Sequence, residues 1–549
     1  MRLGDLGIAA RNIRELRPAQ QQALQWIAGR KERFLIVNAP TGSGKSLIGR
    51  AAGAIMRRPA VYLASDLALQ HQFVGEFPDA RELKGRANYR PNGGGLLTCD
   101  DCDYEGGACS VCGVCTRDHE EGGHDRAGCL GCPYAITKRQ ALAAPFVALN
   151  TAYFLAEANQ VGDFSRKDQL VVVDEADLLE DILLGQVGIS LPQRRLHRLG
   201  LTRNAGAGLE AWAVEAREEA EAIAQDEARE ARTDDSREAA DHRREAQYWR
   251  NLAARLAVMI SELSADPRSW VLVGSDPDSV EVKPVFVRGH AHRLLWSHGK
   301  RFLLTSATLL APEVYTRELG IPDDEWAALE LPSTFPVENR PVHHLQVASM
   351  VYRHREDSLP KLVDTMDRIL DRHAGRVLVH SQTFKIGRVV EELSRHRERI
   401  LLYGSGGRDE ALGTFRSRRG SGRVLIGPSL KRGVDLPGDL CEAIVILVVP
   451  RPDWGDERVR ARARAAGGRA WYDAESVRQL CQMTGRGVRH EADHCETYIL
   501  DSEFSNLLAH RRDMFPRWWL DAVIRASGTG AGPHPGPGAV PSGPSPGGA

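Results

Sequence analysis

The octapeptide APTGSGKS, residues 39–46, constrains this chain more than any other stretch. It follows an apolar run, FLIVN, and precedes the helix-forming LIGRAAGAIM, so the expected local structure is strand, loop, helix. Apart from Ala39 in place of a first glycine, it matches the phosphate-binding loop pattern that ends in Gly-Lys-Ser. Gly42 and Gly44 allow the tight turn by which consecutive N–H groups surround phosphate oxygens, and Thr41 and Ser43 share that cradle. The N-terminus of the following helix adds partial positive charge. Lys45 is long enough to reach β- and γ-phosphates, and Ser46 offers a hydroxyl to magnesium.

A second motif fits the first. In LVVVDEAD (170–177) an apolar strand ends in two carboxylates, at the sheet edge where ligands bind in such folds. Asp174 is expected to hold magnesium through its water shell, and Glu175 to orient or deprotonate an attacking water. Together the motifs point to hydrolysis of ATP or GTP. Further along, QMTGRGVRH (482–490) places Arg486 and Arg489 three apart, expected on one helix face, just before the strand CETYILD. Such a pair can present a guanidinium to a nucleotide held elsewhere, and Gln482 joins it in the catalytic set. The segment LKRGVDLPG (430–438) supplies a Gly-hinged loop with Arg432 and Asp435, the latter counted with the nucleotide-binding residues. TSAT (305–308) ends a strand with small hydroxylated residues.

Apolar runs at 33–40, 60–65, 145–150, 169–177 and 300–308 form one set of expected strands, and those at 375–382, 422–429, 442–450 and 496–501 a second. Near-continuous apolar strands separated by helical patterns indicate parallel sheets covered on both faces, here two α/β domains in tandem. The length of 549 residues suits two to four domains at roughly 100–200 residues each. Residues 203–264 are rich in Ala, Glu and Arg, with Trp249, Leu252, Leu256, Met259 and Leu263 at helical spacing, and read as a helical hairpin with a solvated outer face. The tail from Ala526 is Gly/Pro/Ser-rich and expected to be disordered. The N-terminal MRLGDLGIAARNIREL reads as an amphipathic helix without a signal-peptide core. No run of about 18 apolar residues exists, so no membrane span is expected and the expected location is cytoplasmic. The net charge of −1 leaves any nucleic-acid surface to local arrangement.

Seven of the ten cysteines fall between Cys99 and Cys132. In a cytosolic chain such clusters hold metals more often than disulfides. Cys99 and Cys102, Cys109, Cys112 and Cys115, and Cys129 and Cys132 are spaced as knuckle pairs of the sort that grip zinc, with His119 and His124 nearby. Two tetrahedral zinc sites, or one 4Fe-4S cluster with three thiols to spare, are both compatible with this spacing.

Taken as a set and in order, these motifs resemble superfamily 2 helicases of the XPD/DinG group. The resemblance rests on RPAQ (17–20), KGRANY (84–89), GCPYAITKRQALAAPFVALN (131–150), STFPVENRP (333–341) and QMTGRGVR, and covers roughly residues 10–505. It implies two tandem RecA-like P-loop domains, with a Cys-rich metal-binding insertion and a helical arch inserted in the first. The implied boundaries are 1–85, 133–180 and 267–325 for the first domain, 86–132 and 181–266 for its insertions, 326–525 for the second domain and 526–549 for the tail. By the same resemblance Arg17 and Gln20 lie on the adenine side, with Gln20 reading the base, and Cys132 is the last ligand of a 4Fe-4S cluster. The family's early ligand is missing, since Pro91 and Asn92 stand there, and Cys99 is the first candidate. The implied activity is ATP- and Mg2+-dependent translocation of a monomeric motor on single-stranded DNA, or on a tailed or forked duplex, with 5′→3′ polarity. The alternative is a nucleic-acid-stimulated ATPase that remodels RNA or protein–DNA complexes without separating strands. Lys84, Arg86 and Tyr89 are the first candidates for strand contact. The basic run 451–472, with Trp454, Trp471 and Tyr472, is a second. Asp177 departs from the group's usual histidine. The sequence upstream of residue 38 is too short for the exonuclease domain fused to some DinG proteins, so a DinG-like chain without it is expected.

Overall fold

The computed structural model describes residues 3–13, 15–90, 98–99, 132–202, 208–231, 237–274, 276, 279–403, 407–417, 422–428, 436 and 438–525. Cys102, Cys109, Cys112, Cys115 and Cys129, together with Arg432, Asp435 and the tail from 526, lie outside the described residues. The chain begins its first sheet with β1 (Phe34–Asn38), β2 (Ala60–Ala64), β3 (Arg81–Leu83), β4 (Phe146–Asn150) and β5 (Leu170–Val173). Three strands then pair among themselves: β6 (Ile189–Pro192), β7 (Trp270–Val273) and β8 (Ser279–Pro284). The first sheet resumes with β9 (Arg301–Ser306) and β10 (Trp326–Glu330). A second sheet is built from β11 (Val342–Ala348), β12 (Val377–His380), β13 (Ile400–Leu402), β14 (Val424–Gly427), β15 (Ala443–Ile446), β16 (Glu496–Asp501) and β17 (Val523–Arg525).

Both large sheets are parallel, in the orders β10-β1-β9-β5-β2-β4-β3 and β13-β14-β12-β15-β16-β11-β17. All nine apolar runs singled out in the sequence are strands. Their burial on both faces follows from the alternation of the pleat: Phe34 and Ile36 enter one core and Leu35 and Val37 the other. In the second sheet Leu378 is divided from Val377 and Val379 in the same way. Strand β9 lies between β1 and β5. The ends of the phosphate-loop strand, the TSAT strand and the DEAD strand are therefore neighbours.

Helices Leu209–Glu230 and Arg237–Ala265 form the expected hairpin. One contributes Trp212, Ala216, Ala220 and Ala224, spaced every fourth residue, and the other buries Trp249, Leu252, Leu256, Met259 and Leu263 at 2% exposure or less. The small alanines admit the large side chains opposite. At the base of the hairpin the antiparallel sheet, ordered β6-β8-β7, joins its two ends, so residues 270–284 do not extend the first parallel sheet.

Three expectations are corrected. Among its described residues the N-terminal stretch forms a 3-10 turn, Leu3–Leu6, and no α-helix; Gly7 follows at φ 64, outside helical geometry. Strand β10, assigned to the second domain, pairs with β1 in register from Phe34↔Trp326 to Asn38↔Glu330. Its mixed sequence WAALE carries no strand signal, and the second sheet starts at β11. Arg486 and Arg489 do not share a helix face, because the helix Gly468–Thr484 ends at Gly485. Gly487 then packs so closely on Cys495 that a Cβ would come within 2.2 Å of the thiol.

Leu256→Ala should destabilise the first domain by about 2–5 kcal/mol. Arg217→Ala, on the solvated face and paired with Glu221 four residues on, should change stability by about 0.3–0.5 kcal/mol. Calorimetric unfolding of the two variants measures the contrast, and equal midpoints would contradict the packing described.

Candidate functional site

The loop after β1 has the two positive φ values that its glycines permit, 81 at Gly42 and 80 at Gly44. Side chains would be excluded in any case. A Cβ on Gly42 would lie 2.3 Å from the Phe335 ring, and one on Gly44 2.3 Å from the Gln20 amide. The outer wall of the loop is tied down from the N-terminal helix Pro18–Gly29 and its cap: Arg17 donates to the Gly42 carbonyl at 3.0 Å and Gln20 to the Ser43 carbonyl at 2.9 Å. Gln20 also accepts from the Arg17 N–H at 2.9 Å. The structure thus uses Gln20 to shape the loop.

Lys45 opens the helix Lys45–Met56 and reaches across to Glu175, Nζ to Oε1 3.4 Å. Burial alone would lower the Lys45 pKa, but Glu175 and Asp174 outweigh it and the net shift is upward, so the ammonium stays charged. Glu175 is pushed above the ordinary carboxylate range, chiefly by burial, with Lys45 opposing and Asp177 and Asp174 adding to the rise. Tyr62 of β2 bridges the two groups expected at magnesium: its hydroxyl hydrogen-bonds to Asp174 and lies 3.4 Å from the Ser46 hydroxyl. Thr305 donates to the other Asp174 oxygen at 3.1 Å. Neither Tyr62 nor its role was visible in the sequence, since the strand AVYLA reads simply as core.

Asp177 is the point at which the second domain enters. It is 3% exposed and accepts from Ser306 at 2.6 Å, Thr308 at 3.1 Å and Gln482 at 2.8 Å. Gln482 sits in the last turn of the helix Gly468–Thr484, and its amide also donates to Thr308 at 3.2 Å. Arg478, one turn earlier, donates to the Asp177 carbonyl, and Tyr315 donates to the Ala176 carbonyl at 2.8 Å. Arg486 is buried in the turn that follows, beside His380 at the end of β12. Burial, reinforced by the Arg486 charge, pushes the His380 imidazole down to about 3. The Arg489 N–H donates to Asp493 at 2.7 Å.

Residues 366–522 match the family described as Helicase C-terminal domain. The ATP-dependent DNA helicase DinG of Photobacterium profundum is 27% identical over 258 residues, covering 43% of this chain and 37% of that protein. A regulator of telomere elongation helicase 1 homolog from Caenorhabditis briggsae is 22% identical over 278 residues, or 42% of this chain and 28% of that protein. The chain therefore spans well under half the length of these relatives. A solved XPD helicase superposes with a TM-score of 0.60 at 16% identity, over 93% of this chain and 100% of that one. S. tokodaii Xpd4 gives a TM-score of 0.56 at 13% identity over the same shares, 93% and 100%. The chain is XPD/DinG-like. Its two parallel-sheet domains resemble the RecA-like helicase fold.

Within this XPD/DinG-like frame the unusual Asp177 has a physical account. The partners of its carboxylate among the described residues are hydroxyl and amide donors, a set that a carboxylate satisfies fully. The reading of the basic run 451–472 is corrected. Arg458 and Arg462, in the helix Glu457–Arg464, turn away from any open track and pair with Glu180 of the first domain. Arg462 is 1% exposed, also pairs with Glu318 at 2.8 Å and lies 4.0 Å over the Trp471 ring. Trp454 and Arg469 remain exposed. Lys84 pairs with Glu82 at 3.2 Å, and Arg86 stands in the adjoining 3-10 turn Arg86–Asn88. Tyr89 packs edge-on against Tyr134 at 5.7 Å, and its carbonyl accepts from the Cys99 N–H at 2.7 Å. Cys99 and Cys132 are both buried, with sulfurs 3.7 Å apart. Among the described residues no group of three or more metal-ligating side chains occurs, and no helix is long and apolar enough to cross a membrane.

Burial would raise the Glu180 pKa, but Arg462 and Arg458 hold it at about 2, against an ordinary 4.5. A depressed acid stabilises the fold fully above its unfolded pKa and loses that contribution as pH falls through its folded pKa. The stability difference between the wild type and Glu180→Gln should therefore be constant above about pH 5 and vanish as pH approaches about 2. At neutral pH the substitution should cost about 3 kcal/mol, the low end for breaking a buried pair, since Arg462 keeps Glu318. Urea unfolding across pH checks both statements.

Proposed function

We propose that the chain is an ATP-dependent DNA helicase, a monomeric motor that couples ATP hydrolysis to 5′→3′ movement on single-stranded DNA and to duplex unwinding. The observation that carries this reading is the Asp177–Gln482 contact. It joins the segment bearing Asp174 and Glu175 in one parallel-sheet domain to the arginine-bearing segment of the other. In this reading the loop N–H groups of Thr41 to Ser46 hold the phosphates, and Lys45 neutralises their charge. Ser46 and Asp174, both within reach of the Tyr62 hydroxyl, fit a magnesium ion, which supplies charge neutralisation when bound. Glu175, its pKa raised, orients or deprotonates the attacking water. Arg486 and Arg489 supply the transition-state charge, an effect worth about 10³–10⁵ in turnover. Arg17 and Gln20 hold the loop from the base side, and Asp435 is assigned to the nucleotide-binding set. Lys84, Arg86 and Tyr89 contact the strand. The polarity and the DNA substrate rest on the XPD/DinG likeness.

The cysteine segment is assigned a thiolate-bound metal, ligated by Cys99, Cys132 and thiols among Cys102, Cys109, Cys112, Cys115 and Cys129. By likeness to XPD/DinG proteins this is a 4Fe-4S cluster. One observation favours zinc as a second reading. Two thiolates on one tetrahedral ion with bonds of about 2.3 Å stand about 3.8 Å apart, which is close to the 3.7 Å between Cys99 and Cys132. A cubane binds each thiolate to a separate iron and holds them farther apart.

Purified protein should hydrolyse ATP faster with single-stranded DNA than without it and displace the strand of a 5′-tailed duplex in preference to a 3′-tailed one. Stimulation by RNA with no strand displacement would support the remodelling alternative instead. Lys45→Ala should abolish turnover, and Arg489→Ala should reduce it by about 10³ or more while leaving nucleotide binding nearly intact. Cys132→Ser should abolish unwinding while sparing nucleotide binding. Elemental analysis, with the visible charge-transfer absorption that iron–sulfur centres have and zinc lacks, decides the metal.

A further inference from the structure

Glu175 has φ 47, in the left-handed region that residues other than glycine seldom occupy. Backbone of this kind persists only where the surroundings over-determine it. Within the first domain the turn is held by the Glu175 N–H on Asp174 at 3.0 Å, by the Leu178 N–H on the Glu175 carbonyl at 2.9 Å and by Tyr315 on the Ala176 carbonyl at 2.8 Å. Lys45 and Ser306, each 3.4 Å from the Glu175 carboxylate, hold its side chain from the same domain, and a further hold comes from the second domain. Arg478 donates to the backbone carbonyl of Asp177, two residues beyond Glu175, and its other terminal nitrogen is fixed by Glu475. Arg478 and Gln482 are four apart on one helix, so the same face delivers one contact to the Asp177 main chain and one to its side chain. Arg458 and Arg462 meet the same segment at Glu180. Of these cross-domain contacts among the described residues, that of Arg478 is the one made to the backbone of the turn.

We propose that Arg478 is a positioning residue that sets the backbone of Glu175 when the second domain seats on the first, so that domain docking and the aim of the water-orienting carboxylate are one event. This rests on the ATPase reading above. Nucleotide binding depends on the loop of the first domain and does not need Arg478. Turnover does, because without the cross-domain donor the turn relaxes toward the right-handed region and the carboxylate swings off line.

Arg478→Ala should lower the nucleic-acid-stimulated kcat about ten- to a hundred-fold, with KM for ATP and binding of a fluorescent ATP analogue within about twofold of wild type. Arg478→Lys restores a charged donor without the fork and should recover part of the loss. Tyr315→Phe removes the neighbouring donor on the same turn. Its effect on kcat should be non-additive with Arg478→Ala in the double variant. Analogue binding in each variant verifies that the loop domain is folded. Unchanged kcat in Arg478→Ala, a parallel loss of binding and turnover in both Arg478 variants, or strict additivity with Tyr315→Phe would each overturn the proposal. A wild-type protein with no turnover would instead overturn the ATPase reading itself, and this inference with it.

Discussion

Asp177 is a nearly fully buried carboxylate at the junction of two domains, and such a group is tolerable only if its oxygens are satisfied. Ser306 and Thr308 meet that demand from the first domain and Gln482 from the second. With the second domain lifted away, one oxygen would lose its amide donor and face solvent. The contact therefore ties the seating of the second domain to the segment that carries Asp174 and Glu175.

The strand order makes this economy possible. Because β9 lies between β1 and β5, one short stretch, Thr305 to Thr308, touches both Asp174 and Asp177 and stands beside the phosphate loop. The ion pairs of Glu180 add to the geometry more than to the net stability, since desolvation of two arginines and two carboxylates offsets most of their attraction. Their directional, forked hydrogen bonds specify one angle of approach for the helix Glu457–Arg464. The same seating carries Arg478 and Gln482 to the DEAD turn.

Much of this frame was legible in residues alone. Fully buried parallel strands have no polar face, so each of the nine apolar runs announced itself, whereas the edge strands β3 and β10 carry mixed sequences and the edge strand β13, though apolar, is three residues long and too short to show a period. The phosphate loop was legible because its backbone geometry calls for glycine at 42 and 44, and the DEAD strand because an apolar run ends there in two carboxylates. What could not be read is partnership at a distance. Tyr62, Arg478 and Tyr315 look like ordinary core and helix residues until the fold brings them to Asp174, Asp177 and Ala176. Conversely, Arg458 and Arg462 looked like a nucleic-acid track, because a run of arginines gives no sign that Glu180 and Glu318 wait on another domain. Arg486 and Arg489 were misplaced on a helix for a local reason, the two glycines that end it.

The thiols of Cys99 and Cys132 extend the same reasoning to the far side of the first domain. They are 33 residues apart, yet their sulfurs meet within 3.7 Å. Closing a loop of that length costs chain entropy that two small side chains in contact do not offset. The surroundings help: Cys99 is tied to the Tyr89 carbonyl, Tyr89 packs on Tyr134, and Tyr134 shares a hydrogen bond of 2.8 Å with Tyr153. This aromatic floor connects the chain after β3 to the helices on either side of β4. A metal bound at that base would supply the remaining free energy of closure, as it does in small domains that fold only on ligation. It would also fix the segment against the sheet that carries the phosphate loop.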